Sequence, residues 1–427
     1  MRNLRVGIVG AGTGGLAAAA YLARDGHDVH LLERFAEARP IGAGLLLQPT
    51  GLACLAALGL DQRALTLGAV IHDLDGRTAR GRRILAMDYR RLRPHLFGLG
   101  IHRASLFALL HDEVARLRVP ITTGAEADRV ERHARGRQVV IDKLGRHHGP
   151  YDLVIDASGM RSPLRRALGG RIRDRQFRYG AIWAALPITD AWPHRATLMQ
   201  RYDGAPIMIG VLPIGGLPGD PTPRCAFFWS VRVDQREAWM AAGLDAWKAC
   251  VARLWPAVAP IVEGVRTAGD LSFVSYNDVV VEQPYCPDLG LAVIGDGAHG
   301  TSPQLGQGAN LALVNALMLA AALKDGDTIE ASLRDYHTAR RRHVAFYQLA
   351  SRWLTPFFQS DSRFLGAVRD ATFGLATIMP FAEGQMLRTL AGIKTGVFSE
   401  LDPGEWSERY ATTRSRPLIA KPEPSTA

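Results

Sequence analysis

Residues 5–33 read RVGIVGAGTGGLAAAAYLARDGHDVHLLE, and no other stretch narrows the choice of fold as far. The apolar run 5–9 predicts a short buried strand. It breaks into Gly10, Ala11, Gly12, Thr13, Gly14 and Gly15, and an alanine-rich run then predicts a helix ending at Gly26. Residues 27–32 predict a second strand, with Glu33 at its end. Strand, G-x-G-x-x-G, helix, strand and acid in this order make a dinucleotide-binding half of an open α/β sheet. Gly10 permits the tight turn, Gly12 lets a pyrophosphate approach the backbone, and Gly15 lets the helix lie close to the sheet. The helix start presents bare N–H groups that attract negative charge. Glu33 suits ribose hydroxyls, and Arg34 either stacks on an adenine or stands exposed.

Residues 291–313, LAVIGDGAHGTSPQLGQGANLAL, make a second site of this kind. An apolar run stops at Gly295 and Asp296, a Gly-rich turn follows, and an apolar helix-forming run begins near Gly308. The Asp296 carboxylate suits a sugar or ribityl hydroxyl. A single glycine motif does not separate NAD from FAD. Two distant stretches that both suit a dinucleotide imply one extended ligand, and FAD is long enough, with its ADP half on the first and its ribityl-flavin half on the second.

Six segments carry a family resemblance: GAGTGG at 10–15, Glu33-Arg34, IGAGLLLQPTGLACLAALGL at 41–60, HRASL at 102–106, DLVIDASGMRSPLR at 152–165 and GDGAHGTSPQLGQGAN at 295–310. Over roughly residues 4–345 the chain resembles the class A FAD-dependent monooxygenases, the aromatic hydroxylase group related to p-hydroxybenzoate hydroxylase. The resemblance implies an α/β fold: a Rossmann-like FAD-binding domain, an inserted β-sheet substrate domain, and C-terminal helices. It also implies that Arg103 reaches the FAD pyrophosphate, that Asp296 binds ribityl or ribose hydroxyls, and that Pro303 lies beside the flavin ring. Gly306, Gln307, Gly308, Ala309 and Asn310 then turn around the flavin pyrimidine edge. A helix start there would stabilise the negative charge of reduced flavin. Gln48 lies in a loop that approaches the flavin in this group. Two departures stand out. Ser158 replaces the usual acid of the middle motif, with Asp156 two residues earlier. Gln304 replaces the second proline of the flavin turn, altering the pocket or exchanging a rigid residue for a hydrogen-bonding one.

The FAD domain is expected to be discontinuous, from 1–75, 95–175 and 265–345. Residues 176–264, with 76–94, form the substrate sheet. Strand-like runs AIWAALP, APIMIGVLP and CAFFWSVRV are separated by Gly/Pro turns. Met208, Gly210 and Leu212 alternate on one strand and Phe227 and Trp229 on another, which makes them candidates to line the pocket. Trp183, Arg201 and Tyr202 are candidates for stacking or polar contacts. A largely apolar, aromatic or polyketide-like substrate follows. His299 is read as holding its loop, with a general base as the alternative.

Residues 346–400 form a C-terminal helical segment. Phe346, Leu349, Ala350, Trp353, Leu354 and Phe357 fall on one helical stripe that Pro356 would end or kink. Leu365, Val368 and Phe373 continue in a second helix. This segment is expected to pack on its own domain, with a cap over the substrate pocket, a homodimer face or peripheral membrane contact as alternatives. Residues 401–427 read as a loose tail.

Composition excludes several other classes. The 47% hydrophobic and 22% charged residues are ordinary for a globular chain. Four scattered cysteines show no metal spacing and favour free thiols in a reducing compartment, so a cytoplasmic location is expected. No metal site is expected. No stretch reaches the roughly 18 apolar residues of a membrane span. The net charge of +10 comes largely from arginine, with seven in residues 77–93 and seven in 161–178. No nucleic-acid-binding signature accompanies them, so they read as solvated surface or as a landing area for NADPH.

The resulting expectation is a monooxygenase that uses NAD(P)H and O2 to insert one oxygen into an electron-rich small molecule through a flavin C4a-hydroperoxide. The cofactor carries the chemistry, which explains the lack of an obvious acid–base pair. An FAD-dependent dehydrogenase or oxidase that takes hydride without NAD(P)H is the first alternative, and Ser158 keeps it open. A non-catalytic flavin-bound escort protein is the second.

Overall fold

The computed structural model describes residues 1, 3–38 and 42–402. Val6, Ile8, Leu31, Leu153, Ile155 and Ala292 are all fully buried, as strands covered on both faces require. They belong to a six-stranded sheet in the order Tyr285–Cys286, Leu291–Val293, Leu153–Asp156, Arg5–Val9, Asp28–Leu32, Ile121–Thr122. All neighbours are parallel except the first pair. Val9 lies opposite both Leu32 and Asp156, and Asp156 opposite Val293. Four strands therefore end at one level. The glycine turn, Glu33, Ser158 and Asp296 all follow from that edge.

One face of this sheet packs on the helices Thr13–Arg24, Arg103–Arg116 and Gly308–Asp325. A Cβ at Gly14 would lie 3.4 Å from the Ala312 methyl, so the first and third of these helices meet closely. The other face is covered by an antiparallel sheet of His147–Tyr151, Gln138–Asp142 and Ala127–Arg132.

A seven-stranded sheet runs Ser272–Val274, Tyr179–Pro187, Asp220–Arg232, Ile207–Leu217, Thr197–Asp203, Asp73–Thr78, Arg83–Asp88. Residues 73–88 thus join residues 179–232 in one sheet. Its pleat decides two of the expectations above. Gly210 pairs with Phe228, while Val211 pairs with Phe227 and Ile209 with Trp229. Met208, Leu212 and Phe228 share the inner face. Phe227 and Trp229 point outward and are buried against Trp247, Val251 and Leu254 of the helix Arg236–Leu254. They do not line the pocket; the run CAFFWSV is apolar on both faces, so its phase had no polar residue to set it. Arg201 is also on the outer face, with its guanidinium 4.7 Å from the Trp255 ring.

The helix Ile329–Phe358 runs on to two residues beyond Pro356. Its buried stripe is not the expected apolar one. His343, Tyr347, Gln348, Ser351, Thr355 and Phe358 are buried, whereas Leu349 is 53% and Trp353 71% exposed. Tertiary partners for the polar groups override hydrophobic periodicity here. Helices Arg363–Ala376 and Pro380–Leu390 follow and close over the inner face of the seven-stranded sheet, with Phe357 and Phe373 rings 5.7 Å apart. Of the expected tail at 401–427, residues 403–427 lie outside the described residues. Among the described residues no helix is long and apolar enough to cross a membrane.

A small sheet of Gly44–Leu47, Gly98–His102 and Ala69–Ile71 links the two larger ones. It meets the strand Ile207–Leu217 so closely that a Cβ at Gly100 would lie 1.9 Å from the Pro213 carbonyl oxygen. Gly100→Ala should therefore destabilise the protein by about 1–3 kcal/mol, the usual cost of overpacking. An unchanged urea midpoint would contradict this packing.

Candidate functional site

A cavity of about 1030 Å³ joins the edge of the parallel sheet to the inner face of the seven-stranded sheet. At its first end lie Gly10, Gly12 and Gly14, with Glu33 and Arg34. Gly10 has φ +100°, and a Cβ there would meet the Ala157 carbonyl oxygen at 2.6 Å. A Cβ at Gly15 would sit 1.9 Å from the Gly10 carbonyl oxygen, so the turn and helix touch there. At Gly12 a Cβ would meet nothing within 4 Å. Glu33 is 7% exposed; its Oε2 accepts from the Ala11 N–H at 2.8 Å and its Oε1 from the Phe35 N–H at 3.0 Å. The carboxylate thus shapes the glycine turn, with lone pairs left for a ligand. The Arg34 guanidinium lies 4.6 Å from the Phe35 ring.

The middle of the cavity is built from both sequence ends. Arg103, Asp296, Pro303, Gly306, Gln307, Gly308, Ala309 and Gln48 line it, and Asn310 lies buried behind them. Asn310 holds the arrangement: its Oδ1 accepts from the Gln48 N–H at 2.9 Å, and its Nδ2 donates to the Gly306 carbonyl at 2.8 Å and the Leu46 carbonyl at 3.2 Å. A Cβ at Gly51 would lie 2.1 Å from Asn310 Oδ1, so that glycine makes room for the staple. Sequence reasoning missed Gly51. It also missed Ser351 and Thr355, whose hydroxyls bond Ser302 Oγ at 2.9 and 2.6 Å and fix the loop from the long helix. These are buried polar residues on a helix, which pattern alone reads as exposed.

Asp156 does not face the cavity. Its Oδ1 accepts from the Ser158 N–H at 2.9 Å and its Oδ2 from the Ser162 hydroxyl, and burial raises its pKa. Ser158 does line the cavity, and its hydroxyl also acts on the Asp156 carboxylate, offsetting part of the effect of burial. His299 is 2% exposed and lies outside the lining; Nε2 donates to Asn315 Oδ1, which also accepts from the Gly295 N–H at 3.3 Å. That geometry fits a loop-holding residue.

The second end is a chamber walled by Trp183, Leu198, Gln200, Tyr202, Met208, Leu212 and Phe228 from the sheet. Leu354, Phe358, Gln359, Phe373, Gln385 and Met386 close it from the helices. Trp183 Nε1 donates to the Tyr276 hydroxyl at 2.8 Å, and burial pushes that phenol up to about 12. Gly210 does not itself line the chamber. A Cβ there would lie 1.8 Å from the Phe228 ring, so its bareness lets that ring lie flat on the strand.

A family model described as an FAD binding domain matches residues 3–348. Among curated proteins, the 6-methylpretetramide 4-monooxygenase of Streptomyces rimosus is 31% identical over 418 residues, covering 93% of this chain and 95% of its own. The FAD-dependent urate hydroxylase of Klebsiella pneumoniae subsp. pneumoniae is 27% identical over 352 residues, covering 81% of this chain and 88% of its own. Among solved structures, Klebsiella pneumoniae HpxO complexed with FAD and uric acid is similar at a TM-score of 0.76 and 23% identity, over 91% of this chain and 97% of that one. At that identity the likeness is one of fold.

Two buried imidazoles give the site a pH signature. Burial lowers the pKa of His299 and of His343, below the ordinary 6.5. The His343 Nδ1 accepts from Arg340, and its Nε2 donates to the Gly392 carbonyl at 2.7 Å, so its neutral form is the bonded one. The unfolded chain takes up protons near pH 6.5 that the folded chain refuses. Their stabilisation is complete above that value and is lost as pH falls through the window below it. Urea midpoints should fall between about pH 6.5 and 5.5, and less steeply in His343→Gln than in the parent. Equal slopes would remove His343 as a cause.

Proposed function

The chain belongs to the FAD-binding-domain family of class A flavoprotein monooxygenases, and from that premise we propose that it hydroxylates an electron-rich, largely apolar aromatic or polyketide-like molecule in the chamber beside Trp183 and Phe228. It is an FAD-dependent oxidoreductase that takes its reducing equivalents from NAD(P)H. The observation that carries the substrate reading is the two-ended cavity: charged turns at helix starts on one side, and an aromatic, aliphatic chamber on the other.

The residues present fit FAD. Open space at Gly12 and the Gln48 Nε2, unpartnered among the described residues, stand at the cavity wall. On this reading Gly10, Gly12, Gly14 and Gly15 hold the pyrophosphate at a helix start, with Arg103 reaching it from the side. Glu33 takes ribose hydroxyls, Arg34 covers the adenine, and Asp296 takes ribityl hydroxyls. Pro303, Gly306, Gln307, Gly308, Ala309 and Asn310, with Gln48, surround the flavin edge. When bound, FAD supplies the redox chemistry, accepting hydride from NAD(P)H and activating O2 for transfer of one oxygen atom. The chain's own part is to bind, orient and exclude water. The first-turn N–H groups at residues 308–310 offer positive potential where negative charge develops. Phe228, Met208 and Leu212 keep the reacting ring in an apolar setting.

The named substrates of the relatives, urate and 6-methylpretetramide, are ring compounds, which supports an aromatic substrate. Phe364, Leu375 and Phe381 on the C-terminal helices, and Ile378 in the turn between them, stand exposed. They support a contact surface there, a homodimer face or a membrane contact, which sedimentation and vesicle flotation would separate.

Purified, FAD-loaded protein mixed anaerobically with NADPH or NADH should bleach faster when a phenolic compound that fits is present. Bleaching by that compound alone would point to a dehydrogenase instead. Phe228→Ala should abolish most of the acceleration, whereas Phe227→Ala should cost stability, about 3–5 kcal/mol, rather than substrate response. Gly12→Ala should fold normally yet purify with little FAD. Gly15→Ala should instead lose stability, as Gly100→Ala does, because its Cβ meets the Gly10 backbone whereas that of Gly12 meets nothing. Full FAD content in Gly12→Ala would contradict the pyrophosphate assignment.

A further inference from the structure

The chamber offers polar groups but no charge. Among the described residues, the wall around Trp183, Phe228 and Leu354 carries no charged side chain; Arg103, whose charge reaches the Tyr276 hydroxyl beside Trp183, starts the helix Arg103–Arg116 and is assigned above to the FAD pyrophosphate, and Glu33 and Asp296 belong to the turns. Two cations lie behind the wall, and both are spoken for. Arg369 is fully buried, with its guanidinium 4.6 Å from the Tyr202 ring and 5.4 Å from the Phe358 ring, and it pairs with Asp370 at 2.6 Å. The Lys394 ammonium donates to Gln385 Oε1 at 2.6 Å and to the Val397 carbonyl. A carboxylate ligand would lose its hydration here without gaining a free cation.

Gln359 stands out against this background. It follows the last turn of the long helix, lines the cavity and is 5% exposed. Neither its amide oxygen nor its amide nitrogen has a hydrogen-bond partner among the described residues. Nearby Gln200 differs, since its Oε1 accepts from the Tyr202 hydroxyl at 2.6 Å. An unmade bond at a buried polar atom is a cost that a ligand recovers by supplying the partner. A primary amide presents a donor and an acceptor side by side. Its complement carries an acceptor and a donor at the same spacing.

We infer that the chamber selects a neutral ring compound bearing a carboxamide or lactam edge, and that Gln359 is the positioning residue that reads this edge. The inference rests on the aromatic-substrate reading above. It predicts which substituent is recognised, and that no anionic group is needed.

The test uses the FAD-loaded enzyme and three probes: 1-naphthol, 1-hydroxy-2-naphthamide and 1-hydroxy-2-naphthoate. Binding is read from the flavin absorbance at about pH 8, and anaerobic flavin reduction by NADPH or NADH is followed alongside. The parent enzyme should bind the amide at least about tenfold more tightly than the carboxylate. Gln359→Leu should weaken the amide about tenfold and leave 1-naphthol within about twofold. A merely structural role would weaken all three probes alike. The parent's preference needs no variant, so it is informative even if Gln359→Leu fails to fold. Equal or tighter binding of the carboxylate overturns the inference while leaving the monooxygenase reading intact. Amide binding by Gln359→Leu within about twofold of the parent removes Gln359 from it. If none of the three probes perturbs the flavin or speeds its reduction, the aromatic-substrate reading falls as well.

Discussion

Everything in this molecule depends on four parallel strands stopping at the same level. Val9, Leu32, Asp156 and Val293 are in register, so four separate turns emerge at one edge. No single turn makes a site. Residues near positions 10, 33, 158 and 296 become neighbours only because hydrogen-bonded register leaves the strand ends no freedom to slide. The crevice at the carboxyl ends of an open α/β sheet is a consequence of that alignment.

Register alone would leave the turns soft. Asn310 ties the start of the helix Gly308–Asp325 to Gln48, 262 residues earlier in the chain. Ser302, Ser351 and Thr355 then tie the loop before that helix to the helix Ile329–Phe358. These bonds are buried, where their loss would leave unmade partners rather than hydrated ones. Rigidity at the cavity's middle is therefore bought with side-chain staples, while its two ends are shaped by backbone and by apolar packing.

The parts legible in the sequence were those that the backbone itself constrains. Glycine turns after apolar runs have few alternatives, and the positions of Gly10 and Asp296 after strand ends and of Gly15 in the first turn of a helix could be read from spacing. The seven-stranded sheet was legible as strands, but not the phase of residues 225–231. Both faces of that strand are buried, one on the chamber and one on Trp247, so no polar residue marks the inside. The long helix failed for the opposite reason. Its buried side carries His343, Gln348, Ser351 and Thr355, and its exposed side carries Leu349 and Trp353. Periodicity reports hydrophobicity; burial here follows hydrogen-bond partners that lie far away in the chain.

The same helix holds the loop at Ser302 through Ser351 and delivers Gln359 to the chamber at its end. Eight residues separate the two, about 12 Å at the helical rise of 1.5 Å each, with Pro356 inside that stretch. The spacing between the Ser302 loop and the chamber wall at Gln359 is thus a length cut from one helix. Lengthening that helix by a residue would move and turn the wall relative to the loop. The depth of the chamber behind the loop is encoded here as helix length.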